Sequence, residues 1–184
     1  MRSWTIALAL SMLAVAALAE EPPAAAVNLD FEHGANTRGV PTGWIGAPPV
    51  VLWDPTVSHA GEASARIRQA AVPASGMPAQ ISQWISATPW RGKRLRLSGW
   101  LHTDNVASGW AALWVRADSP TKPALVFDNM TDHGVRGTTE WKRYEIVVTV
   151  PAEATDLYFG AMLAGTGTVW LDDVALDEAP APRP

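Results

Sequence analysis

Short runs in which apolar and polar residues alternate, broken by clusters of Gly, Pro, Asp and Asn, constrain this chain more than any other feature. Successive side chains of a strand point to opposite faces, so a period of two marks one buried and one solvated face. The runs are AVNLDFE, VVLWD, EASARIRQA, AQISQWISA, KRLRLSGWLHTD, GWAALWVRAD, ALVFDN, WKRYEIVVTVP, DLYFGAMLAG and TVWLDDVAL. Between them HAGEAS, WRGK, SPTKP, DHGVRG and PAEATD supply turn residues. No segment keeps a helical period and no internal repeat stands out. The expectation is an all-β chain, a two-sheet antiparallel β-sandwich of jelly-roll type.

The ends read differently. MRSWTIALALSMLAVAALAE carries Arg2, an apolar run from Ile6 to Leu18, and small residues at Ala17 and Ala19. That is the pattern of a secretory signal cleaved before Glu20. The run is short for a bilayer and no later stretch approaches it, so no membrane span is expected after cleavage. The predicted division is a signal over 1–19, a flexible Pro/Ala leader over 20–26, the sandwich over 27–178 and a Pro-rich tail over 179–184. The chain is expected to be exported, to the periplasm or the extracellular space. It has no Cys, so an exported domain of this sequence depends on core packing or a metal rather than disulfides. A formal net charge of −4 argues against nucleic acid or an anionic membrane as partner.

Catalytic motifs are missing. There is no Gly-x-Ser-x-Gly elbow, no His-Glu-x-x-His and no phosphate loop. His33, His59, His102 and His133 are scattered without ligand spacing. Glu32, Asp172 and Asp173 lie near the two ends of the domain and suit a junction better than a cleft holding two acids about one glycosidic bond. The chain reads as a non-catalytic binding domain. Asp172 and Asp173 interrupt an otherwise apolar strand. Strict alternation puts Asp172 with Val174 and Leu176 and turns Asp173 away; a bulge would reverse that. Cation ligands, turn acceptors and solvent-facing groups are the alternatives for these acids.

Ten Trp against two Tyr and three Phe direct attention to aromatic surfaces. In RLRLSGWLHT, Leu95, Leu97 and Leu101 share the expected core face, and Arg94, Arg96, Ser98, Trp100 and His102 share the other. In GWAALWVRAD, Ala111, Leu113 and Val115 read as core, with Trp110, Ala112, Trp114 and Arg116 facing away. In the strand from Trp141, Tyr144, Ile146, Val148 and Val150 face one way and Trp141, Arg143 and Glu145 the other. Two neighbouring strands would then set Trp100, His102, Trp114 and Arg116 on one outer face, with Asp128 and Asn129 joining from a strand end. Aromatic planes take the C–H patches of a sugar and polar groups take its hydroxyls, so the expected ligand is carbohydrate or a related small polar molecule. The competing expectation is an aromatic face that docks an enzyme or envelope protein. Trp84 sits opposite a pair of Ile residues. Trp44, Trp53, Trp141 and Trp170 are expected in the core or at an edge.

The order of NLDFEHG, PTGW, SHAGEASARI and VWLDDVAL resembles the jelly-roll carbohydrate-binding modules attached to xylanases and cellulases, part of the galactose-binding-like group. The matching residues are Asn28, Phe31 and Glu32, then Gly43 and Trp44, Gly61 and Ser64, and Asp172, Asp173 and Val174. The resemblance spans the chain after the signal. It implies a structural Ca²⁺ held by Glu32 and one of Asp172 and Asp173, joining the ends of the domain. The block from WRGKRLRLSGWLHTD to GTVWLDDVAL also resembles a bacterial accessory domain found with exported peptidases, erythromycin-esterase-like proteins and some transcriptional regulators. That second resemblance implies no activity.

Overall fold

The computed structural model describes residues 21–181. The segment read as a signal, 1–19, and residues 182–184 of the tail lie outside the described residues. The strands are β1 (Val51–Asp54), β2 (Ser64–Gln69), β3 (Ala79–Ser86), β4 (Arg94–Ser119), β5 (Lys122–Asp128), β6 (Val135–Thr149) and β7 (Asp156–Glu178). A short 3-10 turn covers Thr88–Trp90. Among the described residues no helix is long and apolar enough to cross a membrane.

β4 and β7 pair antiparallel over nearly their full lengths, from Leu95 opposite Glu178 to Asp118 opposite Asp156. Register shifts between Asp104 and Trp110 divide this ribbon into halves. In one half, β6 lies against β4 while β2 and then β1 lie against β7. In the other, β5 lies against β4 and β3 against β7. The first sheet therefore runs β1-β2-β7-β4-β6 and the second β3-β7-β4-β5, with both central strands shared. This is the antiparallel jelly-roll sandwich that the alternating runs predict.

Two pairs of predicted strands are thus halves of single strands. KRLRLSGWLHTD and GWAALWVRAD are both β4, and DLYFGAMLAG and TVWLDDVAL are both β7. The glycines that look like breaks in the sequence are what let the ribbon pass from sheet to sheet. A Cβ on Gly109 would lie 1.3 Å from the Ala164 carbonyl oxygen, and one on Gly165 would lie 2.4 Å from that of Ala107. Gly167 adopts φ +119, a conformation open to glycine.

The core forms where alternation places it. Leu95, Leu97, Leu101, Ala111, Leu113, Val115, Ile146, Val148 and Val150 are all buried. The first predicted strand is different. AVNLDFE forms turns, with positive φ at Asn28 and Phe31. Its polar groups are satisfied by side chains: the Trp44 indole donates to Asn28 O at 2.9 Å, the Trp53 indole to Phe31 O at 2.8 Å, and Asn28 Nδ2 to Thr42 O at 2.8 Å. Phe31 enters the core beside Trp44, with ring centroids 5.0 Å apart. In the described part of the leader, Ser86 N donates to Pro23 O and Ala26 packs on the core.

Replacing Gly109 with Val should therefore cost about 3 kcal/mol or more, because the added atoms meet backbone and not a movable side chain. Chemical denaturation checks this; a wild-type midpoint in Gly109→Val would contradict the account of the crossover.

Candidate binding groove on the second sheet

The outer face of the second sheet carries a row of large side chains running across all four strands. Trp84 of β3 is opposite Tyr158 of β7, Tyr158 is opposite Arg116 of β4, and Arg116 is opposite Phe127 of β5. Residues in register across antiparallel strands project from the same face, so these four stand side by side. At the usual strand spacing the row is about 14 Å long. The Trp84 and Tyr158 rings are parallel within 7°, with centroids 6.2 Å apart. The Arg116 guanidinium lies 4.7 Å from the Tyr158 centroid and pairs with Asp118 at 2.9 Å. The Trp84 indole donates to Asp156 at 2.7 Å. Burial raises the Tyr158 hydroxyl above its ordinary value and the Asp156 and Asp118 charges add to that, so it remains a neutral donor.

The neighbouring row is Ser82, Gly160 and Trp114. Gly160 sits where β3 approaches closely, since a Cβ there would lie 2.0 Å from the Ile81 carbonyl oxygen. Beside these rows is a groove of about 510 Å³. Trp114, Arg116, Tyr158 and Met162 form its floor, Ile45, Met77 and Pro78 stand at the β3 side, and Phe127 and Asn129 at the β5 side. Trp114 is 5% exposed. Its indole Nε1 and the Arg116 Nε are buried without a hydrogen-bond partner, an arrangement that native interiors rarely leave unpaired.

The structure separates the predicted binding residues. Trp114, Arg116 and Asn129 line this groove, whereas Trp100 and His102 lie on the outer face of the first sheet. The expectation of one shared face fails because Trp100 and Trp114 belong to the same strand, on either side of its crossover. Asp128 does not line the groove; it accepts from Met130 N at 2.9 Å. Tyr158, Phe127 and Met162 were missed as groove residues, although period two in DLYFGAML does place Tyr158 and Met162 on one face. Gln80 and Ser82 follow from the same alternation in β3.

On the first sheet, Trp170, His102 and Trp141 form an aromatic chain, with successive centroids 4.9 and 5.5 Å apart. His59 stacks on Trp100 at 3.8 Å. Trp141 and Trp170 are therefore outer-face residues and not core. His102 Nδ1–H donates to Thr139 O at 2.6 Å.

The three acids converge on one loop, residues 59–63. Glu32 Oε1 accepts from Glu62 N and Ala63 N at 2.9 and 3.2 Å. Asp172 Oδ2 accepts from His59 N and Ala60 N at 2.8 and 3.3 Å, and its Oδ1 accepts from Asp173 N at 2.8 Å. Asp173 accepts from His59 Nδ1 at 2.6 Å. A bulge explains the choice between the two acids: Ser98 pairs with Ala175 but Trp100 with Asp172, so Asp172 shares the outer face with Trp100 while Val174 turns inward. The loop covers Asp172, which is 1% exposed. Among the described residues no three His, Asp or Glu side chains gather as a metal-ligand set. As arranged, Glu32 and Asp172 hold backbone amides and Asp173 holds an imidazole.

Solved structures with this fold include a family 16 carbohydrate-binding module, with TM-score 0.60, 18% identity, and 83% of this chain and 99% of that one covered. They also include the xylan-binding domain of a family 22 module, with TM-score 0.59, 18% identity, and coverage of 81% and 91%. At these identities the likeness shows the fold alone. In sequence, the chain is 40% identical over 120 residues to an uncharacterized HTH-type transcriptional regulator, YbfP, of Bacillus subtilis (strain 168). That stretch is 65% of this chain and 40% of the regulator, so the chain spans well under half of that relative. No family model matches the chain.

Burial pushes the Asp172 carboxyl up to about 6, against the pull of three backbone N–H donors and with the Asp173 charge adding to the rise. Below the unfolded value near 3.8 both states are protonated. Between there and about 6 the unfolded carboxyl ionises first, so stability falls as pH rises through that window. His59 and Asp173 face the same carboxylate, so the expected observable is a difference. Wild type should lose roughly 1–3 kcal/mol more than Asp172→Asn between pH 4 and 7. Parallel pH profiles would contradict the assignment.

Proposed function

We propose that this chain is a non-catalytic, exported binding domain that takes neutral carbohydrate in the groove of the second sheet. The observation that carries the reading is the cross-strand row Trp84–Tyr158–Arg116–Phe127, of which Tyr158, Arg116 and Phe127 line the groove. Ring faces suit the C–H patches of a pyranose, while the Tyr158 hydroxyl, the Arg116 guanidinium and the Asn129 amide suit its hydroxyls. The jelly-roll likeness to carbohydrate-binding modules, one of them named for xylan, supports the same reading. The stretch shared with a transcriptional regulator supports the view of a module used in more than one kind of chain. The row contains no pair of acids, so nothing in the groove would serve a glycosidase.

Titration of the protein with soluble neutral polysaccharides, followed by calorimetry, tests the proposal. Tyr158→Ala and Arg116→Ala should each weaken binding by about 10–30-fold. Trp100→Ala, on the other sheet, should leave it unchanged. Silence across a broad panel from folded protein would sink the carbohydrate reading and favour a protein partner for the aromatic face. Export is checked separately: protein recovered outside the cytoplasm should begin at Glu20.

A further inference from the structure

The groove is more apolar at its walls than hydroxyl recognition requires. Among the described residues, Ile45 (58% exposed), Met77 (66%) and Phe127 (51%) are half of the large hydrophobic side chains that stand exposed, and all three line this groove. They sit on both sides of it: Ile45 and Met77 beside β3, Phe127 on β5. An unsubstituted sugar presents its hydroxyls around the ring edge, and those edges would face these walls. Exposed apolar groups gathered about a cleft mark a binding surface for apolar atoms.

The electrostatics narrow the ligand further. Arg116 is the one ionised side chain in the lining, and Asp118 already neutralises it at 2.9 Å. Nothing there selects an acidic sugar. The remaining polar groups, Gln80, Asn129 and Ser82, supply amide and hydroxyl donors. Asn129 Oδ1 already accepts from the Thr131 hydroxyl, which leaves its NH₂ as the group free to act. A ligand that complements this lining is uncharged, rich in acceptors and apolar along both edges. Ester carbonyls accept and do not donate, and each acyl methyl brings apolar surface. Substituents spaced along a chain reach both walls, whereas one apolar group at a chain end would need a single deep pocket.

Resting on the carbohydrate reading above, we infer that the groove recognises a neutral polysaccharide whose hydroxyls are partly esterified with short acyl groups. Acetyl methyls pack against Ile45 and Met77 on one side and Phe127 on the other, while the backbone of the glycan lies over Tyr158 and Trp114.

Matched pairs test this: O-acetylated xylan, glucomannan and galactan, each beside its alkali-deacetylated form. At least one acetylated polysaccharide should bind about tenfold more tightly than its partner, as expected for burial of two methyl groups. The double variant Ile45→Ser, Met77→Ser changes only exposed side chains outside the aromatic row, so its fold should persist. It should remove most of the acetyl preference while leaving affinity for the deacetylated chain unchanged. Equal affinity within every pair, or a preference that survives the double variant, overturns the acyl inference and leaves the carbohydrate reading in place. Silence from every pair, with the protein shown to be folded, overturns both.

Discussion

Everything in this molecule depends on the pairing of β4 with β7. Each strand is central to both sheets, so one continuous ribbon of backbone hydrogen bonds links the two layers. The layers are thereby held together covalently at the crossover as well as by the shared core of Leu95, Leu113, Leu163 and their neighbours. Close packing at the crossover leaves no room for side chains at Gly109 and Gly165. The ribbon also decides what each face can be. Outer-side chains of β4 before the crossover serve the first sheet and those after it the second, and on the antiparallel β7 the order is reversed.

The three acids show how a chain without disulfides ties down its periphery. Glu32 comes from the N-terminal turns, Asp172 and Asp173 from the last strand, and all three fasten the loop that precedes β2. Charge-assisted bonds to backbone amides are stronger than neutral ones, which offsets part of the cost of burying Asp172. The Trp indoles do comparable work at Asn28 and Phe31, where the backbone leaves regular structure but enters the core. Several of the ten Trp are thus hydrogen-bond donors to backbone as much as they are apolar mass.

Period two made the fold class and most of the core legible, because alternation is local. Leu97, Ile146 and Val148 are buried for the reason their spacing implies. What alternation does not carry is where a strand changes sheets. Gly109 and Gly165 stand at the ends of alternating runs, so β4 and β7 each looked like two strands and the Trp100 and Trp114 faces looked like one. The bulge opposite Gly99 inverted the expected side for Asp172 for a similar reason: an inserted residue is a property of the pairing and not of either strand alone. Of the groove, Trp114, Arg116 and Asn129 were visible. Tyr158 and Phe127 became groove residues only through register across β3, β7, β4 and β5.

The sharing of β4 and β7 also has a kinetic meaning. Pairs such as Leu95 with Glu178 close loops of most of the domain's length, and no local hairpin substitutes for them. Loop closure of that kind must precede most of its reward, so folding should be slow for the chain's size. β4 is synthesised well before its central partner and stays an open, apolar edge until β7 arrives. The vulnerable species is therefore the nascent chain, and exposure to aggregation is set by how quickly its final strand is delivered.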